Sequence, residues 1–140
     1  MDALSFGYPG DGGLGDRLIA AVPAGEKTAT SSLAVEYLDG TPLPRVGERL
    51  VLTDHGGGTH GVVETTQVRI VPLHEVDDAV ARDEGEGFAS VAEWRREHER
   101  FWAEVAHLVR EESGDPAWTL REAEPVVVHR FRLVQDAHRG

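Results

Sequence analysis

The chain has 140 residues, no cysteine and a formal net charge of −11. The length fits one domain, and a hydrophobic content of 40% is enough to build a core. The lack of cysteine excludes disulfides, thiolate nucleophiles and cysteine-ligated metal, while the charge opposes long-range attraction to a polyanion. Nucleic-acid binding would need a local basic patch or a small target. No apolar run approaches the roughly 18 residues that span a bilayer. The start, Met1-Asp2-Ala3-Leu4-Ser5, has no signal-peptide pattern, so a cytoplasmic protein without membrane attachment is expected.

Residues 1–13 are rich in glycine and read as irregular. Leu14, Leu18, Ile19 and Val22 recur at helical spacing and predict a short helix over 15–22, stopped by Pro23 with Gly25 as a turn. Residues 27–37, rich in Thr, Ser and Val, predict a strand. A second strand over 49–53 follows the turn Pro44-Arg45-Val46-Gly47-Glu48. His55-Gly56-Gly57-Gly58-Thr59 reads as a hairpin loop. The return strand, 61–70, would carry Val62, Glu64, Thr66, Val68 and Ile70 on one face. A helix over 74–82 ends at Asp83-Glu84-Gly85-Glu86-Gly87. Ser90 and Glu93 then have the spacing of a capping box. Val91, Trp94, Phe101, Trp102, Val105, Leu108 and Val109 continue at three- and four-residue steps, predicting one long amphipathic helix at about 90–112. A closing strand spans 124–134, and 135–140 is a loose tail. This order predicts a single α+β domain over 1–140, with a small sheet curled against helices.

Few motifs suggest chemistry. Gly10-Asp11-Gly12-Gly13-Leu14-Gly15 matches a dinucleotide-binding fingerprint in letters, but no strand-helix-strand unit surrounds it, so it reads as an entry loop. The seven histidines include no helical pair with a third ligand nearby, so no metal site is assigned. Trp94, Phe101 and Trp102 read as core packing, leaving at most one ring for a ligand. His98 lies among them. Of the 14 basic residues only Lys27 is a lysine, which suggests a position where arginine will not serve. Lys27 and Thr30 leave the first helix through Gly25 and enter a strand, so both can face one pocket. A desolvated amine can act as base toward a hydroxyl, and Asp83 or Glu84 could supply a carboxylate.

Gly25-Glu26-Lys27-Thr28-Ala29-Thr30 resembles the G-x-K-x-x-T signature that opens ASCH domains, members of the PUA-like superfamily. The resemblance continues through Pro44-Arg45-Val46-Gly47, Val62-Val63-Glu64-Thr65-Thr66, Ala81 to Gly87, Trp94, His98, Phe101 and Arg130-Phe131, covering about 15–134. It implies a small β-barrel with flanking helices and a cleft facing RNA or a modified ribonucleoside. Some short members are amidohydrolases that deacetylate N4-acetylcytidine. Their lysine falls on Lys27, their threonine on Thr30 and their glutamate on Glu84. In that version Lys27 takes the proton of Thr30, whose oxygen attacks the acyl carbonyl, and Glu84 protonates the departing amine. Others are ribonucleases, for which a divalent metal would be needed, and others non-catalytic RNA-binding or adaptor modules. DNA is not an expected partner. Gly25, Ser32, Glu64, Trp94 and His98 are the candidate substrate-binding residues around the three. The chain departs from the short amidohydrolases in its Trp-bearing helix at 90–112 and in Pro23.

Overall fold

The computed structural model describes residues 2–7, 10–38 and 40–136. The first element corrects an expectation. Ala3–Phe6 is a strand, β1, lying within the stretch read as irregular. Four residues are too few for an alternation to show in sequence. The strand is defined by its parallel partner, β3 (Arg49–Asp54), with Ala3 opposite Val51. The helix α1 (Leu14–Ala21) follows and buries Leu18 and Ile19. Its C-cap is Val22, just before Pro23, which has no N–H to continue the helix; Gly25, with a positive φ of 76° that only glycine adopts cheaply, then turns the chain. The N–H groups of Glu26 and Lys27 then both return to the Ala21 carbonyl, at 2.9 and 3.0 Å.

The strand expected over 27–37 is shorter. β2 (Ala29–Leu33) gives way to a 3-10 turn at Ala34–Tyr37. The Glu36 carboxylate takes the Leu33 N–H at 2.6 Å, which turns the chain away from the sheet. β3 and β4 (Thr59–Pro72) form the expected hairpin. In the loop, Asp54 accepts the N–H groups of Gly56 and Gly58, both at 2.9 Å.

The β4 face that carries Val62, Glu64, Thr66, Val68 and Ile70 is the outer one. Gly61, Val63 and Thr65 point inward, whereas Thr66 and Ile70 are exposed and Val62 and Glu64 half-buried. Both alternations carry β-branched residues, so composition could not choose between them. A register shift against β5 (Pro125–Asp136) around Thr66 also resets the alternation midway.

The helix expected over 74–82 is a 3-10 turn at Leu73–Glu75 and then α2 (Asp78–Asp83), capped by the Asp77 carboxylate on the Val80 N–H at 3.0 Å. The expected long helix is two: α3 (Val91–Glu104) and α4 (Ala106–Ser113), broken at Val105. The break lets Val109 join the core that Trp94 and Trp102 fill. Ser90 caps α3 as expected, but the Glu93 carboxylate takes the Ala89 N–H at 2.9 Å, so the reciprocal half of the box is displaced by one residue. β5 runs on through Gln135 and Asp136, into the expected tail; the rest of 135–140 lies outside the described residues.

The five strands make one mixed sheet in the order β1-β3-β4-β5-β2, antiparallel except for β1 with β3. The outer strands β1 and β2 do not pair, so the barrel is open along that seam among the described residues. Phe6, Leu18, Ile19, Leu50, Leu52, Val63 and Phe131 form one core beneath α1. Leu33, Val80, Trp94, Trp102, Val109, Val126 and Val128 form another beneath the later helices. The α+β class holds, and among the described residues no helix is long and apolar enough to cross a membrane.

Candidate functional site

At the open seam lies a cavity of about 500 Å³. Phe6 and Gly7, at the end of β1, and Leu18 of α1 form one wall; Thr30, Ser31 and Ser32 of β2 form another. His98, Phe101 and Trp102 come from α3.

Lys27 enters from the turn after α1 and is only 2% exposed. Its amine donates to the carbonyl oxygens of Ala29 at 2.8 Å and Glu84 at 2.9 Å, and it lies 4.8 Å from the centre of the Phe6 ring. Burial pulls the amine below its ordinary value of 10.5, against the opposing charges of Glu84 and Glu86. Two tetrahedral positions of the nitrogen are thus tied to carbonyls. In the neutral amine one N–H still serves each carbonyl, and the lone pair remains for a proton. Thr30, on the same wall of the cavity, has a hydroxyl with no hydrogen-bond partner among the described residues.

Glu84 terminates α2 and is 2% exposed. Its approach to Lys27 depends on Gly85: a Cβ there would stand 2.8 Å from both the Glu26 oxygen and the Lys27 Cβ. The Thr28 N–H donates to the Asp83 carbonyl at 2.8 Å, clamping the same segment to the entry of β2. The Glu84 Oε2 accepts the Ser31 hydroxyl at 2.8 Å and the indole N–H of Trp94. Its Oε1 faces His98 Nε2 at 3.6 Å. Burial is the strongest influence and pushes the carboxyl up. His98, Lys27 and the Trp94 N–H together outweigh it and leave the group below its ordinary 4.5, so Glu84 is an anion. Asp83 points elsewhere and accepts from Arg130 at 2.7 Å.

His98 stacks on Trp94 with ring centres 4.2 Å apart, and its Nδ1 donates to the Trp94 carbonyl at 2.8 Å. A carbonyl can only accept, so Nδ1 carries a hydrogen. Nε2 faces a carboxylate, which favours a second. Burial works against that charge, but Glu84 prevails and raises the imidazole above 6.5. Glu86 lies on the cavity wall with its carboxylate oxygen within 4.8 Å of the facing atoms of Glu84 and His98. This spacing invites comparison with a cation site. The donor set fits poorly: His98 Nδ1 is committed to the Trp94 carbonyl, its Nε2 faces the Glu84 carboxylate, and Glu84 is taken up by N–H and O–H donors. Glu84 and His98 instead face each other, with the Glu86 carboxylate beside them.

Of the candidate residues, Lys27, Thr30, Ser32, Glu84 and His98 line this one cavity. Trp94 lies behind it, fully buried, and reaches it through its bond to Glu84 and its stack on His98. Gly25 and Glu64 do not line it. Gly25 shapes the turn that delivers Lys27, and Glu64 is held between Arg49 and Arg132 on the other side of β4. Ser31, Glu86 and Phe101 escaped the sequence reading. Three successive residues of the edge strand line the cavity, so a two-residue alternation could not select Ser31. Glu86 was one acid among 25. Phe101, 44% exposed, looked like core by its spacing.

Comparison with known proteins gives these features a context. No curated protein sequence matches the chain. A solved structure from Enterococcus faecalis shares 25% identity and a TM-score of 0.79, covering 99% of this chain and 80% of its own. An ASCH domain from Lactobacillus crispatus shares 27% identity and a TM-score of 0.77, covering 95% and 80%. The sequence profile of the ASCH domain matches residues 4–135. Fold, coverage and profile agree, and the chain belongs to the ASCH domain family, with its PUA-like fold.

Proposed function

We propose that the protein is an amidohydrolase of a small, uncharged acylated ribonucleoside of the N4-acetylcytidine type, with Lys27, Thr30 and Glu84 at its centre. The observation that carries the reading is the unpartnered Thr30 hydroxyl in the same cavity as a buried amine with only one position left to take a proton. Thr30 attacks the acyl carbonyl as Lys27 accepts its proton, giving an acyl-threonine that water hydrolyses. Glu84 is the fixed anion that places Lys27 and offsets its charge.

The association of ASCH domains with RNA supports a nucleoside as the substrate class. The cavity volume suits a small molecule. Glu36, Glu84, Glu97 and Glu104 line it, and the one lining arginine among the described residues, Arg100, is paired with Glu97; this acidic lining repels phosphates and speaks against a ribonuclease. The test is a panel of acylated nucleosides and RNA oligonucleotides read by mass spectrometry, with and without chelator. The expected result is deacylation that the chelator leaves unchanged and that Thr30→Ala lowers at least about 100-fold. Metal-dependent RNA cleavage without deacylation would overturn the reading.

A further inference from the structure

The attack by Thr30 leaves one requirement open. A departing amine must gain a proton as the C–N bond breaks. Glu84, whose main-chain carbonyl holds Lys27, is badly placed to give one. Its Oε2 already accepts from Ser31 and Trp94, its Oε1 faces His98, and four groups hold it as an anion. Glu86, two residues on, differs in each respect. It lines the cavity, is half-buried, accepts no hydrogen bond and forms no ion pair among the described residues.

We infer that Glu86 is the proton donor to the departing amine, a catalytic role that rests on the amidohydrolase reading above. The electrostatics agree with the geometry. Burial raises the Glu86 carboxyl above 4.5, and the charges of Glu84 and Glu97 raise it further, against the pull of His98 and Lys27. Two neighbouring carboxyls whose environments push them in opposite directions divide the labour of acid and anion. The cycle balances. The Thr30 oxygen bonds to the acyl carbon and its proton passes to Lys27. The C–N bond breaks, and the nitrogen takes the Glu86 proton. Glu86, now a carboxylate, removes a proton from water as the water oxygen bonds to the acyl carbon. The ester bond breaks, and Thr30 recovers its proton from Lys27. The sum is amide plus water giving acid plus amine.

The experiment compares wild type, Glu86→Gln and Glu86→Asp on N4-acetylcytidine and on p-nitrophenyl acetate, whose leaving group needs no proton. Glu86→Gln should lose about 100-fold or more on the amide, and its penalty on the ester should be at least about tenfold smaller. Glu86→Asp, which keeps an acid, should recover part of the amide activity. Equal penalties on the two substrates, or an amide rate above about a tenth of wild type, would overturn the Glu86 role while leaving the amidohydrolase reading intact. An inactive wild type on every acylated nucleoside would overturn both. An independent readout is the 13C NMR titration of the two carboxyls in wild type: Glu86 should titrate above Glu84, and the reverse order would overturn the assignment whatever the activity.

Discussion

Lys27 shows how one side chain can be specified by what surrounds its tip. An arginine would carry the same charge into the same turn. Its planar fork cannot donate to the Ala29 and Glu84 carbonyls in the tetrahedral manner of an amine, and it does not deprotonate near neutrality. Lys27→Arg should therefore lose deacylation by at least about 100-fold. A variant that folds and keeps half its turnover would make Lys27 an electrostatic anchor only. His98 lends itself to a second prediction at this scale. Burial opposes its protonation, but Glu84 raises the imidazole above 6.5. A raised folded value means that the stabilisation is fully present below the unfolded value and is lost as pH rises through the folded one. The gap in urea midpoint between wild type and His98→Asn should thus be wider at about pH 6 than at about pH 9. Equal gaps would show that the ring carries no charge at either pH.

At the scale of elements, α3 carries the site and the core on adjacent faces. Trp94 does both, filling the core at 0% exposure while its N–H holds Glu84. Trp94→Ala should cost roughly 3–5 kcal/mol in chemical denaturation, the usual cost of truncating a buried aromatic. Trp94→Phe should restore most of that stability without restoring full activity, because the Glu84 donor is still missing. Full activity in the phenylalanine variant would reduce the indole to packing. The long β4–β5 pair carries a different kind of sensitivity. His129 on β5 is 4% exposed, and its Nε2 lies 2.8 Å from the Thr65 hydroxyl on β4. Burial pulls its pKa down to about 4, with Glu48 opposing. A depressed histidine resists protonation in the folded state, so stability falls as pH drops from 6.5 toward that value. The acid limb of the Tm profile should flatten in His129→Gln; an unchanged limb would assign acid sensitivity to the carboxylates.

For the whole molecule the dominant fact is a net charge of −11. Among the described residues six arginines are paired with carboxylates: Arg49 and Arg132 with Glu64, Arg82 and Arg130 with Asp83, Arg95 with Glu99 and Glu122, and Arg100 with Glu97. With 25 acidic residues against 14 basic ones, the whole-chain charge opposes a phosphate backbone. Labelled single-stranded RNA should bind more weakly than about 10 μM at physiological salt. Tight binding with a steep salt slope would reveal a basic track and favour an RNA-binding module over the nucleoside enzyme.

Sequence alone determined the local parts. The spacing of Leu14, Leu18 and Ile19 marked α1, the glycines at 56–58 marked the hairpin, and Ser90 marked the start of α3. Those signals are short-range: a periodicity, a turn residue, a cap. The short ASCH signature also placed Lys27 and Thr30 near each other, because only two residues separate them. Three features were decided only by the tertiary structure. β1 exists because β3 offers it hydrogen bonds, and nothing within Ala3–Phe6 announces that. The inward face of β4 follows from its register against β5, since valine and threonine stand at both alternations. The neighbours of Glu84 come from β2, α3 and the turn before β2, brought together by Gly85, which has no side chain to hold them apart. Whether a carboxylate is anion or acid depends on how many donors reach it through space. That count separates Glu84 from Glu86, two glutamates only two residues apart in the chain.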